Sequence, residues 1–164
     1  VNVNGTASVI HACQRAGVSH LIYTSSMDVV FSGTPVCEGT EELATQPHSR
    51  YNGYVRTKAR AEQLVLQANE ANLTTCSLRP AHIYGPEDEM IVTIVRERVN
   101  DRLPAVFSAG RQAYVYVENC VSAHVDCVER LLAGHTDQSA FFLICVAQMF
   151  KRSDACSFGS QSCV

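Results

Sequence analysis

Short strand-like segments alternate with long helical ones along this chain, and that alternation limits the fold more than any other feature. His20 to Ser25 (HLIYTS), Thr74 to Leu78 (TTCSL) and Tyr114 to Val117 (YVYV) are short, and β-branched or aromatic residues recur in them. Between them, apolar residues recur at helical spacing. Val3, Ala7, Ile10, Cys13 and Ala16 form a first stripe, stopped by Gly17, a residue suited to the left-handed end of a helix. A second helix is expected over residues 51–71, with Tyr54, Lys58, Ala61, Val65 and Ala68 along one side. Met90, Ile91, Ile94, Val95 and Val99 mark a third. A fourth runs from Glu118 to Leu132, ended by Gly134, with Val121, Val125, Val128 and Leu132 expected to face inward. Phe141 to Ile144 is the last strand candidate. Such an order predicts an α/β fold, a doubly wound parallel sheet covered on both faces.

The 164 residues suffice for one ordinary domain and its core. A net charge of −3 carries no basic excess, which argues against a nucleic-acid partner. The eight cysteines include no C-x-x-C pair, so no zinc or other metal site is expected. Several sit in apolar runs, where free cysteine behaves as a small hydrophobe, and they read as reduced thiols of a reducing compartment. The apolar stretch Ser139 to Phe150 is too short for a membrane span. Residues 27–50 hold Gly33, Pro35, Gly39 and Pro47 and read as a long irregular segment of the kind that often carries function. The chain shows neither an initiator Met nor a signal-peptide pattern and opens as if within a helix, so an upstream portion is expected. Residues 145–164 are expected to form an irregular tail, read as a truncated or misread end.

The sharpest chemical feature is Tyr54-Val-Arg-Thr-Lys58. At i and i+4 on a helix, a phenol and an ammonium share one face. A free tyrosine titrates near pH 10. Exchanging protons with an alcohol near neutrality requires about 3–4 kcal/mol of bias toward the phenolate, which a neighbouring ammonium supplies. Alone the motif is weak, because Tyr and Lys meet at this spacing by chance on many helices. Its context adds weight: Thr24-Ser25-Ser26 ends a predicted strand, and ligands of open α/β sheets bind at the carboxyl ends of strands. A serine hydroxyl there can stabilise charge on a reacting oxygen, although Ser and Thr also simply favour turns. Leu78 to Pro86 (LRPAHIYGP) supplies another strand end, which by itself reads as a turn with two prolines.

N-V-x-G-T (Asn2 to Thr6), Y-T-S-S (Tyr23 to Ser26), Y-x-x-x-K (Tyr54 to Lys58), L-R-P-A-H-I-Y-G-P (Leu78 to Pro86) and the Val115 to His124 run (VYVENCVSAH) occur in that order. Together they resemble the extended short-chain dehydrogenase/reductase family, over roughly Val1 to Leu132. Arg50 to Glu62 and the Ala-His after the V-E-N element most resemble its 3β-hydroxysteroid dehydrogenase/isomerase group, which includes sterol-4α-carboxylate 3-dehydrogenases. The resemblance implies residues 1–144 as the C-terminal part of a Rossmann-type NAD(P)-binding domain with part of the substrate-binding region. It also implies Tyr54 as general acid/base and Lys58 lowering its pKa and holding the nicotinamide ribose. Ser26 would polarise the substrate oxygen, Asn2 would shape the site beside the cofactor, and Pro80, Ala81, His82 and Ile83 would line the nicotinamide pocket. The implied reaction passes hydride from a sterol-like 3β-alcohol to NAD or NADP, in the cytoplasm or on the cytosolic face of the endoplasmic reticulum. The resemblance leaves room for a homodimer and for membrane association through segments outside this chain.

Two departures temper these implications. Among the nine glycines there is no G-x-G-x-x-G or G-x-x-G-x-x-G turn to cradle a pyrophosphate, so this chain alone is expected to bind the dinucleotide negligibly and be inactive. Glu118 stands where the family more usually has aspartate. A nucleotide-sugar epimerase or dehydratase of the same superfamily, and an inactive truncated product, are the alternatives.

Overall fold

The computed structural model describes residues 1–30, 53–89 and 113–134, the backbone of 140–143, and single positions at 92, 93, 96 and 100. The third expected helix, the segment 31–50 and the tail 145–164 therefore lie outside, or largely outside, the described residues.

The chain opens with helix α1 (Asn2–Ala16). Gly17 ends it in the left-handed conformation at φ 67°, and the Val18 N–H returns to the Cys13 carbonyl at 2.9 Å. Those are the bonds by which a glycine stop satisfies the last carbonyls of a helix. Strand β1 (His20–Thr24) follows, then a short 3-10 helix (Met27–Val30), helix α2 (Gly53–Gln67) and strand β2 (Thr74–Pro80). Strands β3 (His82–Tyr84) and β4 (Tyr114–Tyr116), helix α3 (Val117–Leu132) and strand β5 (Ala140–Leu143) complete the described elements.

The main sheet has the order β1-β2-β5, all parallel, with His20 opposite Thr74 and Ser77 opposite Ala140. A parallel pair β3-β4 forms a second, smaller sheet, with His82 opposite Tyr114. The expected parallel sheet with helices on both faces is thus present.

Strand β2 shows how the layers form. Its side chains alternate between faces, as the pleat requires. Cys76 and Leu78 pack with Cys127 and Leu131 of α3, joined by Ile22 of β1. Thr75, Ser77 and Arg79 turn instead toward α2. Thr75 donates its hydroxyl to the Val65 carbonyl at 2.8 Å, and Ser77 and Arg79 both bond the Glu62 carboxylate. On that same face Ile10, Val65 and Leu73 form a core with Leu21 and Tyr23 of β1, so α1 and α2 cover one side and α3 the other.

Two expectations need correcting. TTCSL does not end as a strand at Leu78, because β2 continues through Arg79 and Pro80, which pair with residues 142 and 143 of β5. The reason is Glu62: its buried carboxylate holds the Arg79 guanidinium in register, with Nε–oxygen distances of 3.0 and 3.1 Å. Pro80 has no N–H to donate, and the strand ends on it. The second correction concerns α3. Val121, Val125, Val128 and Leu132 face outward, with Val121 56% and Leu132 71% exposed, whereas Cys120, Cys127 and Leu131 are buried. The helix carries two apolar stripes, and the one with the smaller thiols sits close to the sheet, the Cys127 thiol meeting the Cys76 sulfur at 3.1 Å. Strand β1 is half-buried for four residues and exposed at Thr24.

Gly85 marks where β3 closes on the start of α3. A β-carbon there would lie 2.5 Å from Val117 Cγ1 and 3.1 Å from Val117 Cβ. Gly85→Ala is therefore expected to destabilise the fold by about 1–3 kcal/mol through overpacking. A urea midpoint equal to that of the parent would contradict this close approach.

Candidate active site

The carboxyl end of β1 and the first turns of α2 come together around Lys58. Its Nζ donates to the Thr24 carbonyl at 2.7 Å and lies 5.0 Å from the centre of the Tyr23 ring. Both partners are on the strand end that carries Ser25 and Ser26. Half-burial pulls the Lys58 ammonium below the ordinary lysine value, because leaving water disfavours its charge. The Tyr23 phenol moves up, mainly by burial, with the Glu62 carboxylate acting in the same direction.

Tyr54, one turn before Lys58 on α2, is 50% exposed, and its phenol has no hydrogen-bond partner among the described residues. It is open to an incoming molecule. Ser26 is half-buried, and its hydroxyl donates to the Asp28 carboxylate and accepts the Asp28 N–H, both at 3.3 Å. It thus opens the 3-10 helix as a capping residue, and no direct bond joins it to Tyr54 or Lys58. Asn2 acts at one remove. Its amide donates to the Thr57 hydroxyl at 3.0 Å, and that hydroxyl donates to the Tyr54 carbonyl at 2.9 Å. Asn2 thereby ties α1 to the first turn of α2, beside both candidate residues.

Of the other candidates, Pro80 ends β2, and Ala81 is buried with Val115 and Cys120. His82 and Ile83 are exposed on β3, where the His82 ring leans on Tyr114 at 5.6 Å between centroids. An open apolar groove of about 400 Å³ lies between Thr24 and Ile83 on one side and Val117, Val121, His124 and Val125 of α3 on the other.

Three features escape a reading of motifs alone. The Ser25 hydroxyl is buried, at 4% residue exposure, and has no partner among the described residues, although the Ser25 N–H pairs with the Leu78 carbonyl at 2.7 Å. Buried hydroxyls are normally bonded, so this one marks unused polar capacity at the strand end. Thr24 bonds His124 across the sheet edge, Oγ1 to Nε2 at 2.8 Å. The Glu62–Arg79 pair lies immediately beneath the site. A charge inside the apolar run TTCSLRP, with an acid one turn after Lys58, was the available signal for that pair.

Parallel strands clothed by helices, with Lys58 reaching a strand end one helical turn after Tyr54, define a Rossmann-type protein of the short-chain dehydrogenase/reductase class. The model of the 3-beta hydroxysteroid dehydrogenase/isomerase family matches residues 1–144, and the chain belongs to that family. It is 43% identical over 144 residues to 3beta-hydroxysteroid-dehydrogenase/decarboxylase isoform 2 of Arabidopsis thaliana, a match covering 85% of this chain and 25% of that protein. It is 39% identical over 143 residues to the human sterol-4-alpha-carboxylate 3-dehydrogenase, decarboxylating, covering 83% of this chain and 38% of the relative. The chain therefore spans well under half the length of these relatives. Among solved structures, the UDP-glucose 4-epimerase of Thermus thermophilus in complex with NAD superposes with a TM-score of 0.61 at 28% identity, covering 77% of this chain and 45% of that one. Among the described residues, no helix is long and apolar enough to cross a membrane.

Proposed function

We propose that these residues serve an NAD(P)-dependent oxidoreductase that acts on the CH–OH group of a sterol-like 3β-alcohol. The observation that carries this reading is the Lys58 ammonium tied to the Thr24 carbonyl at the end of β1, one helical turn from an open Tyr54 phenol. Family membership and the two relatives, one named for a 3beta-hydroxysteroid and one for a sterol carboxylate, support the substrate class. So does the apolar groove beside Thr24 and Ile83, which suits a fused-ring hydrocarbon better than a sugar diphosphate. Residues 1–144 are read as the C-terminal part of the dinucleotide domain with part of the substrate region, and 145–164 as an irregular tail.

The residues present fit the nicotinamide-ribose half of NAD or NADP. Lys58 keeps N–H donors beyond the one given to Thr24, and the buried Ser25 hydroxyl has no partner among the described residues. Pro80, Ala81, His82 and Ile83 would wall the same pocket. When bound, the nicotinamide supplies the hydride acceptor. Tyr54 takes the alcohol proton onto its side-chain oxygen as general base, one helical turn from Lys58. Ser26 hydrogen-bonds the reacting oxygen after turning from Asp28, a bond long enough at 3.3 Å to exchange cheaply. Asn2, through Thr57, holds the Tyr54 backbone in place.

The test is NAD(P)+ reduction by the purified full-length protein, offered a 3β-hydroxysterol and, separately, UDP-galactose. Sterol-dependent reduction is expected. Turnover of UDP-galactose alone would assign the site to nucleotide-sugar chemistry, and turnover of neither would sink the oxidoreductase reading for these substrates.

A further inference from the structure

We propose that His124 is a positioning residue for the Lys58 anchor, acting through Thr24; this rests on the oxidoreductase reading above. Thr24 is the residue at which the two faces of the sheet are joined. Its carbonyl accepts the Lys58 ammonium from α2 at 2.7 Å, and its hydroxyl meets the His124 imidazole from α3 at 2.8 Å. The helices involved cover opposite faces of the sheet, so the position of Thr24 is fixed from both sides.

The tautomer of His124 follows from its second contact. Nδ1 lies 2.7 Å from the Cys120 carbonyl oxygen, one turn earlier on α3. A carbonyl oxygen only accepts, so Nδ1 carries the hydrogen. In the neutral ring Nε2 is then an acceptor, and the Thr24 hydroxyl donates to it. The ring is oriented by its own helix, and it orients Thr24 in turn. Thr24 is exposed at the last position of β1. The next N–H, that of Ser25, still pairs with the Leu78 carbonyl at 2.7 Å, and the bond to His124 adds a hold on the Thr24 side chain from the other face. A shift of the Thr24 carbonyl carries the Lys58 ammonium with it and moves Ser25 and Ser26, the next two residues. Misplacement of reacting groups by about 1 Å costs on the order of 10²-fold in rate.

The experiment compares Thr24→Val, Thr24→Ser, His124→Ala and His124→Gln in the full-length protein, with Tyr54→Phe as a reference. Thr24→Val keeps the shape of the side chain and removes only the hydroxyl. Thr24→Val and His124→Ala are each expected to lower kcat about ten- to a hundredfold per folded molecule with KM for the alcohol little changed. The double variant should be no worse than either single one, as expected for two ends of one interaction. Thr24→Ser and His124→Gln, which keep the donor and the acceptor, should recover most of the loss. Two readouts do not depend on turnover. Imidazole nitrogen spectra should show His124 as the Nδ1–H tautomer, disturbed in Thr24→Val. Lys58 should also react faster with an amine-acylating reagent in Thr24→Val than in the parent. Parent-like kcat and unchanged Lys58 reactivity in Thr24→Val would overturn the proposal, as would an Nε2–H tautomer. If Tyr54→Phe also retained full activity, the failure would lie in the oxidoreductase reading, whereas loss in Tyr54→Phe alone would remove only the role of His124.

Discussion

Tyr54→Phe in the full-length protein is expected to lower kcat for alcohol oxidation by about 10²–10⁴-fold, the usual worth of a positioned general acid or base. The substitution removes one oxygen from a ring that is half exposed and has no hydrogen-bond partner among the described residues. Little else should change. Folding should match the parent, since no buried contact is lost, and dinucleotide affinity should hold, because Lys58 and its bond to Thr24 are untouched. Steady-state kinetics beside a fluorescence titration with NADH would separate the two effects. Near-parental kcat would remove Tyr54 from the chemistry, and a parallel loss of NADH binding would recast it as a cofactor contact.

The second large effect concerns stability. Glu62 is 0% exposed, and Arg79 is 2% exposed. The carboxylate accepts from the Arg79 guanidinium and from the Ser77 hydroxyl, the latter at 3.1 Å. Arg79→Ala leaves a buried carboxylate without its countercharge and should cost about 3–5 kcal/mol. That is a large part of the 5–15 kcal/mol that typically separates folded from unfolded domains. Replacing these three side chains with apolar residues (Glu62→Leu, Ser77→Ala and Arg79→Met together) should recover much of the loss, because both charges of the pair are then removed together. Urea midpoints for the single and triple variants test both statements. An Arg79→Ala midpoint within error of the parent would show that Glu62 gains water or a proton at little cost.

The elements that could be read from the sequence were those in which one local signal decides. Helix α1 and its end at Gly17 follow from a single apolar stripe and one residue at ease at φ 67°. The strands at His20 and Thr74, and the pairing of Tyr54 with Lys58 on one helix face, follow from equally local patterns. What escaped depends on contacts far apart in the chain. Whether α3 turns its valines or its cysteines inward is decided by the sheet it meets, through Cys76 and Cys127, which are 51 residues apart. Strand β2 outruns its expected end because Glu62, 17 residues earlier, receives Arg79. At the site, motif spacing picked out Ser26 and Asn2 but not their partners, Asp28 and Thr57. The role of Thr24 arises only once helices from opposite faces converge on it.

The alternation along β2 has a consequence for how the strand finds its place. Sliding it by one residue would carry Ser77 and Arg79 over to the thiols of α3 and press Leu78 against the Glu62 carboxylate. Every polar group on the strand would lose its mate at once, so a misaligned strand meets a penalty along its whole length. The β2 strand thus proofreads its own alignment, and that alignment in turn sets Leu78 opposite Thr24, the residue whose carbonyl holds Lys58.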